Sequence, residues 1–158
     1  MKMSCPIALA ACLISSQAQA HWEYTRWGMS AKAVAASSRG AVQVGPGAQA
    51  DQILAMPVGA VGVYRSHGHS FHAVFYFQKD RLALIELTLL GDPSRCSGVL
   101  RDLVARYGKA EDDDPDSNTI LREWSDHREG DKVVFLDSVN GACTTNFSPI
   151  SRSDRPSQ

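Results

Sequence analysis

Between Phe71 and Phe77 the apolar residues fall on every second position: Phe71, Ala73, Phe75 and Phe77. Successive side chains of an extended chain point to opposite faces, so this spacing predicts a strand with one buried face. Such a strand is stable only inside a sheet with an apolar layer packed over it. The flanking sequence supplies the sheet. Val61, Val63 and Arg65 lead into a turn at Ser66-His67-Gly68-His69, and Lys79-Asp80-Arg81 turns the chain into a further strand from Leu82 to Leu89. Short polar turns between such runs predict an antiparallel meander.

Helices are expected on either side of it. Ser30 is a good N-cap for Ala31-Lys32-Ala33-Val34-Ala35-Ala36, and the segment should close near Gly40. After Asp92-Pro93-Ser94, residues Cys96, Val99, Leu100, Leu103, Val104 and Tyr107 recur at three- and four-residue spacing. That is one apolar stripe on a helix ending at Gly108. Strands are then expected at about 120–127, 132–137 and 142–147, with turns at Glu129-Gly130-Asp131 and Asn140-Gly141. The expected class is α+β: two short helices on one face of an antiparallel sheet, with a helix-plus-meander passage arranged roughly twice.

The N-terminus has the anatomy of an export signal. Lys2 carries its positive charge, an apolar stretch runs from Ile7 to Ile14, and Ala18-Gln19-Ala20 is a small-x-small cleavage site. The apolar stretch is well short of the roughly 20 residues that span a bilayer. The expected division is therefore a signal over 1–20, one domain over 21–150 and a disordered polar tail from 151 to 158. Leu9-Ala10-Ala11-Cys12 offers a rival route, lipidation at Cys12, which would anchor the protein. Cleavage after Ala20 removes Lys2 alone among the charged residues, so 15 basic residues face 17 acidic ones. This balance gives no electrostatic footprint for nucleic acid.

Cleavage also removes Cys5 and Cys12, leaving Cys96 and Cys143 in a compartment that permits disulfides, periplasm or outside. Cys96 falls on the helix stripe and faces the sheet, within reach of a strand cysteine. A bridge between them closes a loop of about 48 residues and contributes roughly 4 kcal/mol by the chain-entropy estimate.

Trp27-Gly28-Met29-Ser30 ahead of a short helix, Phe75-Tyr76-Phe77 leading into Arg81-Leu82-Ala83, and a helix ending in Tyr107-Gly108 resemble small exported proteobacterial proteins of uncharacterised function. The helix-plus-meander plan is also similar to the β-lactamase inhibitor protein and to small lipoproteins that assist outer-membrane assembly. Those resemblances imply binding rather than catalysis, and they carry over no site residue.

Two constellations suggest metals. His67, His69 and His72 lie within six residues, and cleavage would make His21 the N-terminal residue. A terminal histidine offers its amine and its imidazole together, and a second imidazole completes a nitrogen site suited to copper. The plainer reading is polar turn residues plus one solvent-facing strand histidine. Asp112, Asp114, Asp116 and Glu123, with Asn118, match the spacing of a calcium loop, but Ser117 replaces the turn glycine and Pro115 interrupts it. Here the plainer reading is a solvated acidic loop. Trp22, Tyr24 and Trp27 are either a partner-binding strip or packing residues, and packing is favoured for Trp27.

Catalytic signatures are missing from the sequence: it has no Gly-x-Ser-x-Gly elbow, no His-Glu-x-x-His and no phosphate-cradling glycine loop. The expected function is an exported, periplasmic, non-enzymatic binding or accessory module for an unknown protein or small ligand, without a resident cofactor. A copper- or calcium-binding protein is the alternative.

Overall fold

The computed structural model describes residues 22–45, 52–53, 55–113, 119–138 and 141–151. The expected signal, His21 and the tail beyond Ser151 lie outside them. In chain order the elements are α1 (Ala31–Ser37), β1 (Val42–Val44), β2 (Gln52–Ile53), β3 (Met56–Ser66), β4 (His69–Gln78) and β5 (Arg81–Leu89). A 3-10 turn (Pro93–Arg95) then leads into α2 (Cys96–Tyr107), followed by β6 (Asp112–Asp113), β7 (Thr119–Asp126), β8 (Asp131–Ser138) and β9 (Thr144–Pro149). The strands join in the order β1-β3-β4-β5-β9-β8-β7-β6, with β2 paired to β3. Every described pairing is antiparallel.

The class is α+β, as the residue pattern implied, but the sheet dominates. The expected pair of helix-plus-meander passages gives way to one continuous sheet. Its seam is the pairing of β5 with β9, in which Ile85 faces Phe147 and Leu87 faces Thr145. Short strands account for the rest of the difference. β1, β2 and β6 hold two or three residues each, too few to show a period.

Local chemistry explains the turns. His67 and Gly68 both have positive φ (48° and 75°) between the paired residues Ser66 and His69. Lys79 and Asp80 repeat this at 50° and 61° between Gln78 and Arg81. Two left-handed residues give the tight hairpin turn whose twist matches that of the strands. Ser30 caps α1 as expected, its Oγ accepting from the Ala33 N–H at 3.3 Å.

The main core gathers Phe71, Ala73, Phe75 and Phe77 from β4, Leu82, Ile85 and Leu87 from β5, and Val133, Phe135 and Phe147 from the far half of the sheet. Both helices feed the same cluster, α1 through Val34 and α2 through Cys96 and Val99. Fully burying each large apolar side chain contributes about 1.5–3 kcal/mol. Val104, expected on the α2 stripe, is 44% exposed because it lies at the stripe's edge. β4 also departs from the half-buried expectation. Val74 and Tyr76, on its other face, are buried in a second cluster with Leu84 and are packed by Met56, Val58 and Val61. Two of these β3 residues are direct cross-strand partners of the buried pair, Val58 of Tyr76 and Val61 of Val74.

Cys96 and Cys143 form the expected disulfide, with Cα atoms 5.7 Å apart. Both are buried, and the Leu89 N–H donates to the Cys143 carbonyl at 3.0 Å. The bridge thus ties the first residue of α2 to the seam of the sheet. No described helix is long and apolar enough to cross a membrane.

Candidate functional site

Where α2, the β3–β4 hairpin and the N-terminal segment meet, they form a half-open cavity of about 70 Å³. Its apolar wall comes from Trp22, Tyr64, Phe71, Val99, Leu103 and Phe147. Tyr64 and Phe71 are cross-strand partners whose rings stack at 6.1 Å, and Val99 and Leu103 stand one helical turn apart. Trp22 is only 2% exposed and touches Tyr64, Phe75 and Phe147 ring to ring. The choice left open for Trp22 therefore resolves to packing, and Tyr24 packs against the same cluster. Trp27 also packs there, and its Nε1 donates to Asp131 Oδ1 at 2.7 Å.

Polar groups collect at the rim. The Tyr64 hydroxyl donates to Glu23 Oε1 at 2.9 Å, and Arg106 Nη1 lies 3.7 Å from the same oxygen. His69 Nε2 lies 3.4 Å from Asp102 Oδ2, and the His69 side chain is 11% exposed. Arg95 donates to the Gly68 carbonyl, so the hairpin tip is held down on the start of α2. Asp102, Arg106, Glu23 and Tyr64 had no local signal in the sequence. Asp102 and Arg106 merely flank the α2 stripe, and nothing near His69 marks a partner 33 positions away.

The three central histidines separate. His67 and His69 line the cavity, whereas His72 is exposed on the opposite face of β4. Ser66 Oγ lies 3.0 Å from His67 Nδ1, but the carboxylate beside an imidazole belongs to His69. Hydroxyl, imidazole and carboxylate are thus divided between two histidines rather than aligned as a relay. In the acidic segment, Asp112 and Glu123 meet as strand partners across β6 and β7, and Glu123 Oε2 is 2.8 Å from Lys132 Nζ. Asp114, Asp116 and Asn118 lie outside the described residues. Among the described residues, no group of three or more metal-ligating side chains is placed to hold an ion.

A wider groove of about 370 Å³ lies past the end of α2, between Arg106 and Glu129. Several of its polar groups are occupied with one another. The Glu111 carboxylate takes the N–H and hydroxyl of Ser125, and Arg128 pairs with Glu129 at 3.3 Å. Binding cavities are mostly apolar with few polar groups, which favours the smaller one.

Burial pushes the Tyr24 and Tyr107 hydroxyls up to about 12 and raises Tyr64 as well. The folded protein therefore holds these protons more tightly than the unfolded chain, whose tyrosines ionise near 10. That stabilisation is complete below pH 10 and is lost as the pH climbs toward 12. We expect the melting temperature to fall steeply across this window, with tyrosinate absorbance rising in step with unfolding. Tyrosinate appearing near pH 10 while the fold persists would refute it.

No protein-family model, curated protein or solved structure matches this chain.

Proposed function

We propose that this is an exported, non-enzymatic binding module that recognises a protein partner through one small anchor side chain. The cavity between α2 and the β3–β4 hairpin carries the reading. It is about 70 Å³ in volume, well under the roughly 300 Å³ at which small-molecule pockets begin. It is nearer to what one aliphatic side chain fills. Binding hot spots have this form, an anchor seated in a well-packed pocket inside a polar ring. Glu23, Asp102 and Arg106 supply such a ring. The signal-like N-terminus supports export, and the disulfide suits an oxidising compartment.

One observation favours a second reading, a copper site. Trp22, the neighbour of His21, lines the same cavity as His67 and His69. Cleavage after Ala20 would make His21, directly before Trp22 in the sequence, a terminal residue with an amine and an imidazole of the kind copper takes. His72 has no part in it.

A single NMR experiment on the labelled protein beginning at His21 addresses both readings. N-Acetyl-valine methylamide should shift the Val99, Leu103 and Leu87 methyl signals saturably, and Leu103→Trp should abolish the response by filling the cavity. Shifts that never saturate, or that survive Leu103→Trp, would sink the anchor reading. One equivalent of Cu(II) that broadens His67 and His69 and survives desalting would put the copper reading first; unbound copper would remove it.

A further inference from the structure

We infer that the open edge of β3 at residues 64–66 takes up an extended segment of a partner protein as an added strand. That strand runs antiparallel to β3, as β1 does, and carries an acidic residue opposite Arg65. This goes beyond the anchor reading and does not need the cavity. Backbone parity decides which way the groups of β3 face. The Val63 N–H donates away from β4, to the Ala41 carbonyl at 3.2 Å. Alternate residues of a strand face the same neighbour, so the Arg65 N–H and C=O also point outward. The pairing with β4 agrees. Arg65 stands opposite Ser70, whose carbonyl accepts from the Leu90 N–H on the β5 side at 2.8 Å. Arg65 and Ser70 therefore exchange no hydrogen bonds, and the outward donor and acceptor of Arg65 are left for another chain.

Among the described residues no strand occupies that place. The register of β1 on β3 runs only from Ala60 to Gly62, because Arg39 and Gly40, at φ of 54° and 91°, bring the chain in from α1 just before it. A Cβ on Gly40 would meet nothing within 4 Å, and Arg65 is exposed. Elsewhere outward backbone groups of the sheet are closed by side chains: Ser38 Oγ accepts from the Val42 N–H at 2.9 Å, and Glu111 Oε1 from the Ser125 N–H at 3.2 Å. An edge left with a free donor and acceptor is a template for one more strand. The charge on Arg65 decides whose strand it is. Among the described residues no carboxylate lies within ion-pair distance of it. A second copy adding the same edge would set Arg65 opposite Arg65, since Ala41 already stands at Val63 and bars the registers further along. Residues so opposed have Cα atoms about 5.5 Å apart, and like charges there destabilise the pair. An acidic residue in a partner strand gains what a second copy loses.

The test uses the labelled protein beginning at His21 and the peptide N-acetyl-Thr-Val-Glu-Val amide. In the free protein the Arg65 amide should exchange freely with solvent, while the Tyr64 amide, which faces β4, is protected. The peptide should shift the Arg65 amide saturably and slow its exchange. Replacing its Glu by Lys should weaken binding about fivefold, and Arg65→Glu should reverse that preference. N-methylation at the Glu nitrogen should abolish the response, because the donor to the Arg65 carbonyl is gone. Slow exchange at Arg65 in the free protein would reveal an edge already covered and overturn the inference. So would equal binding of the Glu and Lys peptides, a response that survives N-methylation, or Arg65 protection that grows with protein concentration alone. None of these outcomes reads the cavity methyl signals, so the anchor reading stands or falls separately.

Discussion

Replacing Cys96 and Cys143 together by alanine is expected to lower the unfolding free energy by about 4 kcal/mol. The bridge closes a loop with a sequence separation of 47, which spans α2, β6, β7 and β8. Cutting it returns that loop's freedom to the unfolded chain. Native losses add to this, because both side chains are buried and alanine fills neither place. The effect should be local as well as global. α2 has 12 residues, a length at which an isolated helix is marginal, so tertiary attachment must hold it. Its attachments include the bridge at Cys96 and the apolar contacts of Val99, Leu100, Leu103 and Tyr107. Without the bridge, amide protection should fall first along α2, and the anchor cavity should lose one wall. Denaturant unfolding of the oxidised protein and the double variant measures the first effect, and hydrogen exchange the second. A loss under about 1 kcal/mol with α2 still protected would show that packing alone seats the helix.

What the sequence revealed follows the range of the interactions. Phe71 to Phe77 announced β4 because side-chain alternation is a property of neighbours. Ser30 and Gly108 marked helix ends for the same reason, each answering to one turn of backbone. Even the disulfide was legible, since removing the signal leaves two cysteines to pair. Long-range relations were not. Nothing beside Val74 or Tyr76 says that β3 will set Val61 and Val58 opposite them. β6 hides within an acidic stretch that reads as loop, because its pairing with β7 is set by register rather than by its own two residues. The candidate site suffers most from this. His69 stood out as one of three close histidines, yet strand parity sends His72 to the other face, and the residue that gives His69 meaning is Asp102, one helix away. A polar pair of this kind leaves no period and no spacing rule to read.

Trp22→Ala should cost about 3–5 kcal/mol, the usual range for deleting a fully packed tryptophan. Its ring meets Tyr24, Tyr64, Phe75 and Phe147, so one residue joins the N-terminal segment to β3, β4 and β9. Four aromatic partners lose a neighbour at once. The Glu23 carboxylate, which receives the Tyr64 hydroxyl and faces Arg106, sits next to Trp22 and loses its seat with it. The rim of the cavity should therefore loosen together with its floor. Trp22→Phe separates these effects, because a phenyl ring keeps most of the packing and leaves room beside it. We expect the phenylalanine variant to lose less than half as much stability as the alanine variant and to accept N-acetyl-phenylalanine methylamide, which the unaltered cavity is too small to hold. Denaturant midpoints and the same methyl titration read both consequences. If Trp22→Ala unfolds within 1 kcal/mol of the unaltered protein, the N-terminal segment is an attachment to the core rather than part of it, and the cavity must be assigned to α2 and the hairpin alone.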